Sequence, residues 1–232
     1  MALRPGGELA ARPLHFIWIC DCSGSMGVDG KIQALNTAIR EAIPPMQKAT
    51  DENPNAEVLV RAIKFSNGAQ WHIAQATPAL EFRWSDLTPG GETDLGQALK
   101  MTAAEMANMP PRGLPPVLVL ISDGQPTDDF NTGLQSLLAQ PWGKKAVRVA
   151  IAIGEDADLD VLQAFIANPE IKPLRAHSPE ALMRYIQWVS TAVLQSASAP
   201  PSQTTATGDG LNVPLPEPPQ LEEGPTSAID VW

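Results

Sequence analysis

The apolar positions of this chain fall into short runs that alternate between two periods. Residues 14–20 (LHFIWIC), 117–122 (VLVLIS) and 147–154 (VRVAIAIG) are nearly continuous apolar stretches of strand length. That is the pattern of parallel strands buried on both faces. Between them the apolar residues recur at helical spacing. In residues 31–48, Ile32, Leu35, Ile39, Ile43 and Met46 share one face. This predicts a helix that ends or kinks near Ile43, because Pro44 and Pro45 lack backbone donors and clash with the preceding turn. Further helices are predicted over residues 94–109, 128–140, 158–167 and 179–196, the last with Pro179 at its first position. Residues 56–66 and 69–75 bracket Asn67-Gly68, a strong hairpin signal, and residues 171–176 read as a short strand. Strands alternating with helices, plus one hairpin, predict an α/β fold. Its sheet is doubly wound, mostly parallel and six-stranded, with helices on both faces.

Composition divides the chain. Residues 14–198 carry all of these elements and form the expected domain, after an N-terminal extension of residues 1–13. Residues 199–232 hold seven prolines, five acidic residues and no Lys or Arg, which predicts a disordered, partly polyproline tail. Half of the net charge of −10 lies there. An acidic chain argues against nucleic acid and anionic membranes as partners. No stretch is long enough to span a bilayer. Arg4 and Arg12 before residues 14–20 imitate a signal peptide, but Glu8 and His15 interrupt the pattern and no small-residue cleavage site follows. A cytoplasmic location is expected. The two cysteines, Cys20 and Cys22, read as buried thiols, and with only three scattered histidines they make no zinc constellation.

Candidate chemistry sits where apolar strands end. Residues 14–20 run into Asp21-Cys22-Ser23-Gly24-Ser25, and residues 117–122 run into Asp123-Gly124. Ligands of doubly wound sheets bind outside the carboxyl ends of the strands, where strand order reverses. Two carboxylates and two hydroxyls at that place are hard oxygen donors. They select Mg²⁺ first, with Mn²⁺ or Ca²⁺ also compatible, over zinc or copper.

Asp21-x-Ser23-x-Ser25, Gly90-Gly91-Glu92-Thr93-Asp94 and Ile121-Ser122-Asp123-Gly124, in this order and context, resemble the metal-ion-dependent adhesion site of von Willebrand factor A (VWA) domains. The resemblance covers about residues 14–198. It implies that Ser23 and Ser25 bind a divalent metal directly, that Thr93 does so in one conformation, and that Asp21 and Asp123 act directly or through water. It also implies that an acidic side chain of a protein partner completes the coordination. Within the family, length and local sequence are similar to small bacterial VWA proteins associated with tellurium resistance, which are encoded beside protein kinases and metal-dependent protein phosphatases. That likeness implies a scaffold in a signalling, stress-response or defence system. An adaptor for an AAA-type ATPase or chelatase is the alternative. Cys22 stands where Thr is common and Glu92 where Gly is frequent.

A Mg²⁺-dependent phosphatase is the enzyme reading. Its chemistry needs an Asp two residues after the nucleophilic Asp, and Ser23 occupies that position, so no catalytic residue is assigned. In the tail, Thr204, Thr205 and Thr207 are candidates for phosphorylation. Leu211, Val213, Leu215, Asp230 and Trp232 are candidates for docking on a partner or a second copy.

Overall fold

The computed structural model describes residues 11–199, 205–207, 210–212 and 214–220. Six strands form one sheet: β1 (Arg12–Asp21), β2 (Ala56–Ser66), β3 (Gly68–Pro78), β4 (Val117–Ser122), β5 (Val147–Ile153) and β6 (Leu174–Ala176). Their order is β3-β2-β1-β4-β5-β6. All neighbours are parallel except the β2–β3 hairpin, which closes through Asn67 with Gly68 at φ 77°. The chain winds outward from β1 in both directions, so strand order reverses between β1 and β4. This is the doubly wound sheet that the apolar pattern predicts.

Both faces of the sheet are covered, which explains the near-continuous apolar strands. Leu14, Phe16, Trp18 and Cys20 of β1 pack under α1 (Lys31–Asp51) and α6 (Pro179–Trp188). Ile17 and Ile19 point the other way, into a layer with α2 (Leu95–Asn108), α3 (Phe130–Ala139) and α5 (Leu159–Ile166). The short α4 (Pro141–Lys145) leads from α3 into β5. Among the described residues no helix is long and apolar enough to cross a membrane.

Helices α2 and α3 meet at glycines. A methyl group placed on Gly133 would lie 2.4 Å from the carbonyl oxygen of Gly96, and one on Gly96 would lie 2.4 Å from that of Asp129. Only backbone fits at this crossing. It clamps the start of α2, just after Thr93, against the segment that follows Asp123.

Three elements depart from the pattern. Helix α1 does not stop near Ile43 but runs through Pro44 and Pro45 to Asp51. Pro44 is exposed, so the lost hydrogen bonds fall on the outer face, while Met46 and Ala49 beyond it are buried in the core. The Gln47 side-chain amide also donates to the carbonyls of Ala79 and Leu80. Packing therefore overrides the local penalty of about 3 kcal/mol per interior proline. The predicted helix 179–196 widens after α6 into a π turn, Val189–Val193, before α7 (Leu194–Ala197). Here Ser190 and Thr191 donate their hydroxyls to the carbonyls of Ile186 and Gln187, which bends a helix. Strand β6 begins only at Leu174, because Pro173 has no donor for the ladder.

Within residues 199–232, β7 (Thr205–Thr207) and β8 (Gly210–Asn212) pair as a small antiparallel ribbon. Thr205, Thr207 and Leu211 lie on it, whereas Thr204, Val213, Asp230 and Trp232 lie outside the described residues. Leu215, expected to meet a partner, is instead half-buried against its own domain. It closes a cavity of about 200 Å³ with Lys144, Val147, Arg148, Ile166 and Ile171. The apolar side chain finds cover there at the amino-terminal end of β5.

Cys20 and Cys22 are free, buried thiols. Burial pushes the Cys22 thiol up to about 12, with Asp21 adding to the rise, and raises Cys20 well above the ordinary range. The thiolate is the reactive form. Native protein at pH 8 should therefore leave a disulfide reagent such as DTNB unreacted, and denaturant should release two thiols. Rapid reaction of either cysteine in the folded chain would contradict this packing.

Candidate metal centre

The crevice between β1 and β4 brings together all five predicted ligands. Asp21 is the last residue of β1 and is fully buried. Its Oδ1 accepts the Ser23 backbone N–H at 2.8 Å, and its Oδ2 accepts the Ser122 hydroxyl at 2.5 Å. The first bond folds the turn after β1, and the second ties that turn to the end of β4. Burial pushes the Asp21 carboxyl above the usual carboxylate range, hydrogen bonds from Ser122 and Ser23 oppose this, and the nearby Asp123 charge adds to the rise. A carboxylate in that setting gains from any cation placed beside it.

Asp123 follows β4 directly and is 1 % exposed. Its Oδ1 accepts the Ser25 hydroxyl at 2.8 Å, and the Ser25 and Ser23 hydroxyl oxygens are 3.0 Å apart. Thr93 is also buried, on the loop before α2. Its backbone N–H donates to the Thr127 hydroxyl at 2.9 Å, and its carbonyl accepts the Thr127 N–H at 3.0 Å. The loop is thus held by its main chain, leaving the Thr93 hydroxyl free of that task. A methyl group on Gly124 would lie 3.7 Å from Ser25 Oγ and 3.8 Å from Thr93 Oγ1, so both hydroxyls border one small space.

The turns around this space brace one another. Gly24 N–H donates to the Gly91 carbonyl at 3.0 Å, Gly90 N–H to Cys22 at 2.8 Å, and Cys22 N–H to Phe65 at 2.8 Å. Gly91, at φ 91°, lies against the Asn67 side chain, whose Oδ1 accepts the Glu92 N–H at 2.9 Å. Glu92 itself is exposed, with its backbone pinned outside the space rather than crowding it.

Four residues escaped the sequence reading. Ser122 anchors Asp21, and Thr127 anchors both Thr93 and, at 3.1 Å, Asp94. Asp128, expected to start the helix after β4, instead accepts the N–H groups of Gly96 and Gln97 at 2.7 and 2.8 Å and so caps α2. Asp129 is the residue that caps α3, through Thr132. The fourth is Lys31, whose Nζ lies 2.8 Å from Asp123 Oδ2 with both side chains buried. Its place at the start of an amphipathic helix gives no sign of this long-range pair. Breaking a buried pair by removing one partner costs roughly 3–5 kcal/mol.

The donor set suits a hard divalent cation. The Ser23, Ser25 and Thr93 hydroxyls and the Asp123 carboxylate border one space, with Asp21 hydrogen-bonded to Ser23 beside it, and no cluster of three His, Cys, Asp or Glu side chains forms among the described residues. Asp21, Ser23, Ser25, Thr93 and Asp123 are the residues that would hold such an ion.

The sequence profile of the von Willebrand factor type A domain matches residues 16–125. No curated protein matches the chain in sequence. Similar solved structures include the ArnB paralog VWA2 from Sulfolobus acidocaldarius, with 16% identity and TM-score 0.58 over 75% of this chain and 44% of that one. A von Willebrand factor type A protein from Catenulispora acidiphila aligns with 17% identity and TM-score 0.60 over 84% of this chain and 44% of its own. The pilus adhesin SpaC from Lactobacillus rhamnosus GG aligns with 17% identity and TM-score 0.59 over 78% and 30%. At these identities the likeness establishes the fold. The chain spans less than half the length of each of these three proteins.

Because α2 and α3 touch through bare backbone, Gly133→Ala should force the Thr93 and Asp123 loops apart. Overpacking of this kind costs about 1–3 kcal/mol. The expected result is a lower melting temperature in thermal melts. A Gly133→Ala chain with native melting would show that the crossing does not set the loop spacing.

Proposed function

We propose that this chain, whose residues 16–125 match the von Willebrand factor type A domain profile and whose fold is that of such protein-interaction modules, grips a partner protein through a divalent metal. The observation that carries this reading is the convergence of Asp21, Ser23, Ser25, Thr93 and Asp123 at the reversal of strand order. Mg²⁺ is the expected ion, with Mn²⁺ or Ca²⁺ as substitutes. A site with few carboxylates leaves such an ion electrophilic enough to accept an oxygen from outside. The outside ligand is an acidic side chain of a protein. Val28, 53 % exposed on the Gly24–Gly30 turn that follows Ser23, supplies an apolar contact beside it.

Binding rather than turnover is the better reading of these residues. Ser23 fills the position an acid/base Asp would need, and both oxygens of Asp21 are committed to Ser23 and Ser122. A buried carboxylate so engaged is a poor nucleophile. The setting we propose is cytoplasmic, as a scaffold beside a Ser/Thr kinase and a metal-dependent phosphatase, in keeping with the likeness to tellurium-resistance proteins. Thr204, Thr205 and Thr207 are its proposed phosphorylation region.

Mg²⁺ binding to the folded state should raise the melting temperature by linkage, about 2.7 kcal/mol of stabilisation at a hundredfold excess over Kd. Ser23→Ala with Ser25→Ala is the clean probe, because Asp21 also holds the turn together. Calorimetry and thermal melts of the double variant should show no response to Mg²⁺ with the fold intact. A response equal to that of the wild type would place the ion elsewhere.

A protein retained by the chain in Mg²⁺ should be released by EDTA. Thr93→Ala should weaken its retention roughly tenfold or more, the loss of one well-placed contact, while circular dichroism stays native. Retention that survives both chelation and Thr93→Ala would rule out the metal as the grip.

A further inference from the structure

We propose that Lys31 is a built-in rival of the divalent cation: its ammonium group holds Asp123 in the metal's place and sets how tightly the metal is kept. This rests on the metal-binding reading above.

Among the described residues Lys31 is the one buried lysine, 6 % exposed. Its ammonium lies 2.8 Å from Asp123 Oδ2. The other oxygen of that carboxylate takes the Ser25 hydroxyl, which in turn meets Ser23. One chain of hydrogen bonds thus joins the ammonium to three of the five candidate ligands.

The position is locally unfavourable for a lysine. Lys31 is the first residue of α1, and no acidic residue occupies that helix's first turn. The positive end of the helix dipole disfavours a cation there. Lysine is also rarely buried without a partner. A residue placed against its local preference marks a functional site more often than a packing accident, and here Asp123 supplies the buried counter-charge.

Charge gives the consequence. Asp21 and Asp123 alone would leave two negative charges at the site, and Lys31 cancels one of them. An incoming divalent cation therefore meets a smaller attraction and a fixed positive neighbour, both acting at short range in a poorly screened space. It must also take Asp123 from the ammonium or share it. Once the metal is in, the two cations outweigh the two carboxylates by one charge. A carboxylate from a partner restores neutrality. Metal retention and capture of an acidic group then favour one another, since coupling between two bound species is reciprocal.

The test is titration calorimetry of the full chain with MgCl₂ and MnCl₂, comparing wild type, Lys31→Met, Lys31→Gln and Lys31→Arg. Lys31→Gln keeps a hydrogen bond to Asp123 without the charge and serves if Lys31→Met does not fold. Both neutral variants should bind the metal roughly tenfold or more tightly than wild type. Lys31→Arg, which keeps the charge, should not gain affinity. In EDTA the neutral variants should melt below wild type, and Mg²⁺ should raise their melting temperature by more. If wild type and the neutral variants bind metal equally, or the variants bind more weakly, Lys31 only positions Asp123 and the inference fails while the metal reading stands. If neither wild type nor any variant takes up metal, both fail.

Discussion

The carboxylate of Asp21 has no access to solvent, yet it carries the end of the central strand. One oxygen folds the next turn through Ser23, and the other reaches across the sheet to Ser122. Without those bonds a charged group at this depth would be strongly unfavourable. With them it becomes the staple that closes β1 against β4 at the single place where the connections diverge. The Ser25, Thr93 and Asp123 loops are then arranged around a fixed point. The Thr93 loop is braced through its main chain, and the Ser25 and Asp123 loops are joined by the Ser25 hydroxyl on the Asp123 carboxylate.

This arrangement reconciles rigidity with availability. The turns lean on one another through glycine backbone at Gly24, Gly90 and Gly91 and through the bare contact of Gly96 with Gly133. Hydroxyls of serine and threonine need little room and little desolvation compared with carboxylates. A hydroxyl-rich site can thus sit at the carboxyl ends of the central strands without a large pocket. The one strongly charged intruder is Lys31, and its counter-charge lies on a different strand's loop.

Much of this was legible in the sequence. The three buried strands, the hairpin at Asn67-Gly68 and the placement of Asp21, Ser23, Ser25 and Asp123 at strand ends follow from short-range pattern, because strand ends and tight turns are encoded within a few residues, whereas Thr93 entered only through the family resemblance. What escaped depends on distant segments. Asp128 looks like a helix start but caps a helix about thirty positions earlier in the chain. The glycines of α2 and α3 mean little until the helices cross. Pro44 and Pro45 announce a helix end, yet the core contacts of Met46 and Ala49 carry the helix onward. Leu215 reads as an exposed apolar residue in an acidic, proline-rich stretch, and only the folded domain offers it cover.

The resting place of Leu215 has a directional consequence. The site oxygens lie at the carboxyl ends of β1 and β4, whereas Leu215 lies against Val147 and Arg148, where β5 begins. Since β4 and β5 are parallel, these are opposite poles of the molecule. The segment around Leu215 therefore lies at the far end of the sheet from the candidate site oxygens. A partner held at those oxygens, as proposed above, and the segment at Leu215 would not compete for space.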